Sequence, residues 1–195
     1  MIVGGLLAEG AKKLKPYLSE PGTHRVEEVY RQPPEVQWNQ DTFTGDAYPA
    51  YSWGVCALEV EVDPLTWEIR AKKAWNAFDV GKAIDRGLVT GQAEGGMTQG
   101  IGWGSLEVLE EKEGQIQHGT FTDYTIPTTL DVPEMDTMFF DNPYEHGPFG
   151  AKGAGELTFI AGAPALVSAV RQATASDPLK IPLTPEYLEE LSHAD

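Results

Sequence analysis

The sequence predicts an α+β fold in which a mixed β-hairpin and sheet pack against a glycine-rich helix and a C-terminal helix. Three patterns indicate this architecture. Apolar and polar residues alternate over residues 54–78, glycines recur at every fourth position over residues 96–104, and a run of small and apolar residues extends from residue 157 to 170. The length of 195 residues suits one domain or two small ones, and an apolar content of 41% is enough for a core.

The composition excludes several classes of partner. The net charge of −16 repels nucleic acid and anionic membranes, so neither is expected as a partner, and solubility is the ordinary explanation for this charge. The single cysteine, Cys56, cannot form an internal disulfide or hold a Cys-ligated iron–sulfur cluster alone. The sequence shows no signal peptide and no run of roughly 20 apolar residues, so we expect a cytoplasmic protein.

The N-terminal part of the chain predicts a helix followed by an extended arm. Apolar residues recur at helical spacing over residues 2–18, and the helix should end near Pro21-Gly22. It begins at Met1 without a cap, as if it continued a missing segment. Residues 23–46 contain Pro33 and Pro34 and little periodicity, which is typical of a linker or of a contact strip for another chain. We therefore divide the chain into residues 1–46 and a domain over residues 47–195.

Residues 54–78 predict a β-hairpin. The first strand alternates Val60 and Val62 with glutamates, and a turn follows at Asp63-Pro64-Leu65-Thr66. Two more strands are expected over residues 115–124 and 135–140. Helices are expected over residues 157–174 and after Thr184, which can cap the last helix.

The stretch 91–104 contains six glycines in fourteen residues and runs into Leu106, Val108, Leu109 and Glu110, which are expected to form the end of a helix. Each glycine costs about 1 kcal/mol in a helix relative to alanine, so this density needs a cause. Gly96, Gly100 and Gly104 share one helical face, and Gln92 and Gln99 lie close to it. The face either packs closely against another element or accepts a flat group whose edge meets the amides. The spacing matches neither a P-loop nor a dinucleotide fingerprint.

A second glycine-rich stretch, Gly147–Glu156, has four glycines in ten residues and ends on a carboxylate. Such a loop can turn tightly and deliver one acid to a reaction site. Its spacing alone equally fits a helix-start glutamate that the helix dipole favours. Lys152 is expected to pin the loop, and the four histidines show no metal-ligand spacing.

Five stretches in the same order resemble one family from about residue 45 to 188. The sequence is similar to the C-terminal part of the molybdopterin-binding subunit of molybdenum hydroxylases, the xanthine dehydrogenase and aldehyde oxidoreductase family. The matching stretches are Asp79-Val80-Gly81 with Ile84-Asp85, Gly91-Gln92-Ala93-Glu94-Gly95-Gly96 with Gln99-Gly100, Asp123-Tyr124-Thr125-Ile126-Pro127, Gly150-Ala151-Lys152-Gly153-Ala154-Gly155-Glu156, and Pro182-Leu183-Thr184-Pro185.

The resemblance implies a molybdenum ion held by a pyranopterin dithiolene, so that the protein supplies no metal ligand. Glu156 would be the base that takes a proton from a metal-bound hydroxyl. The oxygen then attacks an electron-poor carbon, and hydride passes to a terminal sulfido group, so the cofactor carries the hard chemistry. Residues implied to contact the cofactor are Gln92, Gly95, Gly96, Gln99, Lys152, Gly153, Ala154 and Gly155.

The resemblance further implies an oxidoreductase that acts only within a multi-subunit complex. The expected substrate is a purine or related N-heterocycle, with an aldehyde next, and the expected partners are a 2Fe–2S subunit and an FAD subunit. The family's subunit is several times longer, so the remaining N-terminal half should be another partner. The alternatives are a non-catalytic assembly subunit, a truncated remnant, and a stand-alone binding module that uses exposed aromatic residues. Trp67 stands where the family usually has glycine, which could alter an exposed turn or provide a partner contact.

Overall fold

The chain forms two compact units in a computed structural model that describes residues 2–193. The arm unit comprises Met1–Ser52, Asp79–Ile84 and Phe140–Gly153. The sheet unit comprises Trp53–Phe78, Asp85–Phe139 and Ala154–Asp195. The division predicted between residues 46 and 47 stays a prediction.

The arm unit contains little regular structure. Helix α1 spans Ile2–Leu14 and continues into a 3₁₀ turn at Lys15–Tyr17, while Met1 lies outside the described residues. Residues 23–33 form no helix or strand, as expected for an extended arm. Two short antiparallel strands follow, β1 at Trp38–Asn39 and β2 at Thr44–Gly45.

The sheet unit is built on three strands in the order β3-β4-β7. Strands β3 (Trp53–Val62) and β4 (Ile69–Asp79) confirm the predicted hairpin, and β7 spans Glu134–Phe140 as predicted to within a residue. Lys73 on β4 bonds to Glu134 on β7, and three residues further along each strand Asn76 bonds to Thr137. Because the residue numbers of the partners increase together, the two strands run parallel. A parallel pair needs a crossover connection, and helix α2 (Arg86–Ser105) lies in it.

The hairpin turn explains why the chain tolerates Trp67 where the resemblance predicts glycine. Asp63 accepts hydrogen bonds from the backbone N–H groups of Leu65 and Thr66 at 2.7 and 3.0 Å. Trp67 then takes a left-handed conformation with φ 59°, which favours glycine. Its half-buried ring packs against the core around Leu166 and Val170. Trp67 is therefore neither a simply exposed turn residue nor a free partner contact.

Four helices complete the sheet unit. Helix α2 spans Arg86–Ser105 and is capped by Asp85, whose carboxylate accepts from the Leu88 N–H at 3.0 Å. The helix end expected over residues 106–110 is wrong, because the N–H groups of Leu106 and Glu107 both donate to the Gly102 carbonyl and close the helix there. The helix predicted over residues 157–174 is divided at Ala161 into α3 (Leu157–Ile160) and α4 (Gly162–Thr174). Helix α5, Pro185–Ser192, starts with the predicted Thr184 cap.

The core of the sheet unit lies between the sheet and these helices. Met97 of α2 packs with Ala74 of β4, and Leu166 of α4 packs with Leu188 of α5. Glycine makes the helix crossing close, because a Cβ at Gly100 would lie 2.7 Å from the Phe159 carbonyl oxygen and 2.8 Å from the Gly162 Cα. Close packing is thus one cause of the glycine-rich pattern.

The strand predicted over residues 115–124 is wrong beyond its first two residues. Strands β5 (Glu111–Lys112) and β6 (Gln115–Ile116) form a two-residue ladder. The chain then turns, because Thr120 donates its hydroxyl to Asp123 at 3.0 Å and its carbonyl accepts from the Asp123 N–H at 3.1 Å. Such local side-chain bonds compete with strand pairing.

Across residues 2–193, no helix combines the length and apolarity needed to cross a membrane.

Candidate functional site

The buried hydroxyl of Thr158 connects the two glycine-rich stretches. Its Oγ lies 3.0 Å from the carbonyl oxygen of Gln92 and 3.2 Å from that of Gly155. The Thr158 side chain is fully buried at the start of α3. Because a hydroxyl has one proton, the two carbonyl groups share one donor. The site therefore brings Gln92 together with the residue that precedes Glu156.

One line of residues along α2 is exposed and is not covered by other described residues of the sheet unit. Gln92, Gly95 and Gln99 are exposed and lie three or four residues apart, so they share a helical face. A Cβ added at Gly95 would meet no atom within 4 Å. Packing within the described residues therefore does not account for glycine at position 95.

A neighbouring line of α2 is covered. A Cβ at Gly96 would overlap the Thr158 side chain, and one at Gly104 would lie 2.9 Å from the Leu166 side chain. Helix packing alone explains glycine at these positions. A cofactor contact at Gly96 stays a prediction of the sequence.

Glu156 occupies the N-cap position of α3, but its carboxylate makes no capping hydrogen bond. Its backbone carbonyl accepts from the N–H groups of Phe159 and Ile160 at 3.1 and 3.2 Å. The side chain is exposed, and α3 has only four residues, so the dipole that could favour a helix-start carboxylate is small. Within residues 2–193, the Glu156 carboxylate consequently has no structural hydrogen bond that would explain a glutamate at this position.

The glycines beside Glu156 are also open, whereas Ala154 is half-buried. A Cβ at Gly155, or at Gly153 in the arm unit, would meet no atom within 4 Å. The Gly153 carbonyl accepts from the Ser52 hydroxyl at 2.7 Å. Gly153, Ala154 and Gly155 keep their cofactor roles as predictions.

Lys152 lies in the arm unit and forms a buried ion pair. Its Nζ lies 2.6 Å from Asp79 Oδ2, and the two side chains are 10% and 8% exposed. Asn142 donates to the same carboxylate oxygen at 2.8 Å, and the Gly81 N–H donates to Oδ1 at 2.9 Å. Burial raises the pKa of Asp79, but the hydrogen bonds from Lys152, Gly81 and Asn142 prevail and lower it overall.

Backbone hydrogen bonds join the same two segments of the arm unit. The Lys152 N–H donates to the Val80 carbonyl at 2.9 Å, and the Lys82 N–H donates to the Gly150 carbonyl at 2.8 Å. Gly81 has φ 68°, and a Cβ there would lie 2.5 Å from the Gly150 oxygen. Only glycine fits this approach without displacing the loop.

Sequence reasoning missed Thr158, and it gave no role to Asp79 or Asn142. Thr158 had only a weak signal, a hydroxyl inside an otherwise apolar run. Asp79 belonged to a matching stretch, but pairing with a residue 73 positions away leaves no mark in a single sequence.

The stretch around Tyr124 has a local explanation. The Tyr124 hydroxyl donates to Glu107, which raises the pKa of Tyr124.

Comparison with known proteins identifies the family. The model of the molybdopterin cofactor-binding domain matches residues 7–133, which include α2 but end before the loop at Gly147–Glu156. The xanthine dehydrogenase molybdenum-binding subunit of Escherichia coli O157:H7 is 31% identical over 144 residues, which are 73% of this chain and 19% of that protein.

Solved structures agree with this match. Aldehyde oxidoreductase from Desulfovibrio gigas gives a TM-score of 0.70 at 30% identity, covering 78% of this chain and 17% of that one. Quinoline 2-oxidoreductase from Pseudomonas putida 86 gives a TM-score of 0.65 at 34% identity, and the match covers 69% of this chain and 18% of that one. The chain thus spans less than a fifth of the length of each relative. It belongs to the molybdopterin cofactor-binding domain family and corresponds to part of a molybdenum hydroxylase large subunit.

Proposed function

We propose that this chain supplies part of the molybdenum–pyranopterin site, and the proton acceptor, of a hydroxylase that oxidises a purine or related N-heterocycle with oxygen from water. One observation carries the proposal. Thr158 joins the carbonyl of Gln92 to that of Gly155, so the open line of α2 and the residue before Glu156 belong to one region of the sheet unit.

The residues in this region fit a flat, hydrogen-bonding cofactor. Gly95 and Gly155 present bare backbone with open space where a Cβ would be. Gln92 and Gln99 present exposed amides, which can donate to and accept from the edge of a heterocycle. When bound, the cofactor would supply the redox centre that receives the two electrons of the oxidation. In the sheet unit we assign its contacts to Gln92, Gly95, Gly96, Gln99, Ala154 and Gly155; contacts from Lys152 and Gly153 stay predictions.

Glu156 is assigned as the general base. A carboxylate with no structural hydrogen bond can accept a proton at either Oε without breaking the fold. It would accept that proton from the water-derived nucleophile. Its position beside Gly155 is fixed from the following turn, because Thr158 is both buried and bonded to the Gly155 carbonyl.

The substrate class rests on similarity. One similar structure is titled quinoline 2-oxidoreductase, and one relative is named a xanthine dehydrogenase subunit; quinoline and xanthine are both N-heterocycles. An aldehyde is the second candidate, favoured by the TM-score of 0.70 with an aldehyde oxidoreductase. The matched protein named a molybdenum-binding subunit implies partner chains. We assign to them the rest of the molybdopterin subunit, a 2Fe–2S subunit and an FAD subunit.

Affinity purification of the tagged chain from its native cells tests this proposal. We expect it to co-purify with a chain that carries the remaining part of the molybdopterin subunit, with molybdenum and pterin in equimolar amount. The purified complex should then oxidise purines or other N-heterocycles in a substrate panel that includes aldehydes. A complex with that partner but without molybdenum would instead support a non-catalytic assembly subunit.

A further inference from the structure

We propose that Asp79, Asn142 and Lys152 form a clamp that fixes the glycine-rich loop of the arm unit up to Gly153, immediately before Glu156 and its two preceding residues in the chain. The inference rests on the proposed role of Glu156 as the base. Lys152 precedes Glu156 by four residues, so any freedom of the chain at Lys152 passes directly into that short segment. The clamp would make Lys152 a positioning residue rather than a cofactor ligand.

The polar groups of the clamp are matched to one another. One oxygen of Asp79 accepts from Lys152 at 2.6 Å and from Asn142 at 2.8 Å, while the other accepts from the Gly81 N–H at 2.9 Å. Both ion-pair partners are about nine-tenths buried. A buried pair of this kind is strongly destabilised when either partner is removed, because the remaining charge is left uncompensated.

Backbone hydrogen bonds beside the clamp join the same two segments of the arm unit. Gly81 and Ala151 form an isolated antiparallel bridge, and the N–H groups of Lys82 and Lys152 donate across it at 2.8 and 2.9 Å. Phe149, just before the bridge, has φ 58°, a conformation that costs energy for a residue with a side chain. Strain of this kind persists only where the surroundings hold the chain in place.

The segment needs an external constraint because its own sequence provides little. Gly150, Gly153 and Gly155 give the unfolded loop unusual backbone freedom. A general base loses efficiency when it moves by about 1 Å from its productive position. After Lys152, the next fixed points are the Gly153 carbonyl, bonded to Ser52, and the Gly155 carbonyl, bonded to Thr158. The clamp therefore holds the segment at the end where glycine would otherwise leave it loose.

The alternative is that Lys152 offers its charge to the cofactor. In the structure that charge is paired with Asp79 at 2.6 Å, and the Lys152 side chain is only 10% exposed. A paired and buried ammonium is a poor source of free positive charge. This geometry favours the positioning role.

Amide hydrogen exchange on the purified chain tests the clamp without any cofactor. We expect Lys152→Met to accelerate exchange at the Lys82 and Lys152 amides at least about tenfold more than at amides inside α2, which respond only to the loss of global stability. Lys152→Arg should restore part of the protection. Lys73→Met is the matched control, since Lys73 pairs with Glu134 and Asp136 at 2.8 and 2.9 Å on the sheet; it should leave the Lys82 and Lys152 amides unchanged. Should Lys152→Met not fold, Asp79→Asn tests the same pair.

Unaltered exchange at Lys82 and Lys152 in a folded Lys152→Met or Asp79→Asn chain would overturn the clamp. In the assembled complex, we expect Lys152→Met to lower kcat at unchanged KM and unchanged molybdenum content. Loss of molybdenum with unaltered exchange would make Lys152 a cofactor contact and contradict positioning. If Glu156→Gln and Lys152→Met both retain full turnover, the proposed base is wrong, while the exchange rates still decide whether the clamp exists.

Discussion

The hydroxyl of Thr158 lies 3.0 Å from the carbonyl oxygen of Gln92, and the Thr158 side chain is fully buried. This contact spans 66 positions of sequence and joins α2 to the start of α3. The same hydroxyl lies 3.2 Å from the Gly155 carbonyl. One small side chain therefore bonds both the open face of α2 and the residue before Glu156, in addition to the close helix crossing at Gly100.

Thr158→Val should destabilise the chain by roughly 1–3 kcal/mol, because it removes the donor of two carbonyl groups while nearly preserving shape. Urea unfolding of the isolated chain measures this. Thr98→Val is the control, since the Thr98 hydroxyl bonds only to the Glu94 carbonyl on its own helix at 2.8 Å. Equal destabilisation by the two variants would show that the Thr158 hydroxyl contributes no more to stability than a hydroxyl bonded within its own helix.

The two kinds of glycine on α2 should respond differently to alanine. Gly100→Ala places a Cβ 2.7 Å from the Phe159 carbonyl oxygen, so overpacking of about 1–3 kcal/mol should exceed the gain in helix propensity. Gly95→Ala meets no atom within 4 Å and should stabilise the isolated chain by up to about 1 kcal/mol. Thermal unfolding compares them. In the complex, Gly95→Ala should nevertheless lower molybdenum content; unchanged content would remove Gly95 from the cofactor site.

The buried Asp79–Lys152 pair should make stability depend on pH. Burial raises the pKa of Asp79, but its hydrogen bonds, above all that from Lys152, lower it overall. The unfolded carboxyl therefore binds a proton before the folded one, and the contribution of the pair is complete above the unfolded pKa of about 3.9. It is lost as pH falls through the folded pKa.

Asp79→Asn tests this dependence against the wild type. At pH 7 the variant should be roughly 3–5 kcal/mol less stable, because Lys152 remains buried without its partner. The difference should narrow as the pH falls below about 4. Urea unfolding at a series of pH values measures it, and a difference independent of pH would exclude a depressed pKa for Asp79.

The elements that followed from the sequence are those with local causes. The hairpin follows from alternation and its Asp63 turn, and the start of α5 follows from Thr184 and Pro185. The stretch 91–104 indicates that a helix is present but not that it ends at Ser105. The roles of Glu156 and Gln92 stay predictions, which rest on stretches that resemble a family. Tertiary contacts decided the remainder. The break at Ala161 is an exception with a local cause, because Gly162 and Pro164 follow it and proline cannot donate the helical bond to Ile160. Trp67, by contrast, adopts φ 59° with its ring packed on the core.

Gln92→Ala should reduce molybdenum and pterin content of the assembled complex while leaving the stability of the isolated chain unchanged. The Gln92 side chain is exposed, and its only assigned bond to Thr158 uses the backbone carbonyl, which alanine keeps. Gln172→Ala removes an equally exposed amide from α4 and should leave metal content at the wild-type level. Metal analysis of both complexes decides whether Gln92 contacts the cofactor.

The central claim is that Glu156 is the base. Turnover of the assembled Glu156→Gln complex, measured together with its molybdenum content, tests it most directly. Because glutamine keeps the shape and exposed position of the side chain, we predict wild-type molybdenum and a fall in kcat of roughly 100-fold or more. The control is Glu94→Gln, which changes an exposed carboxylate on α2 and should retain turnover. Substantial activity of a fully loaded Glu156→Gln complex would contradict the assignment.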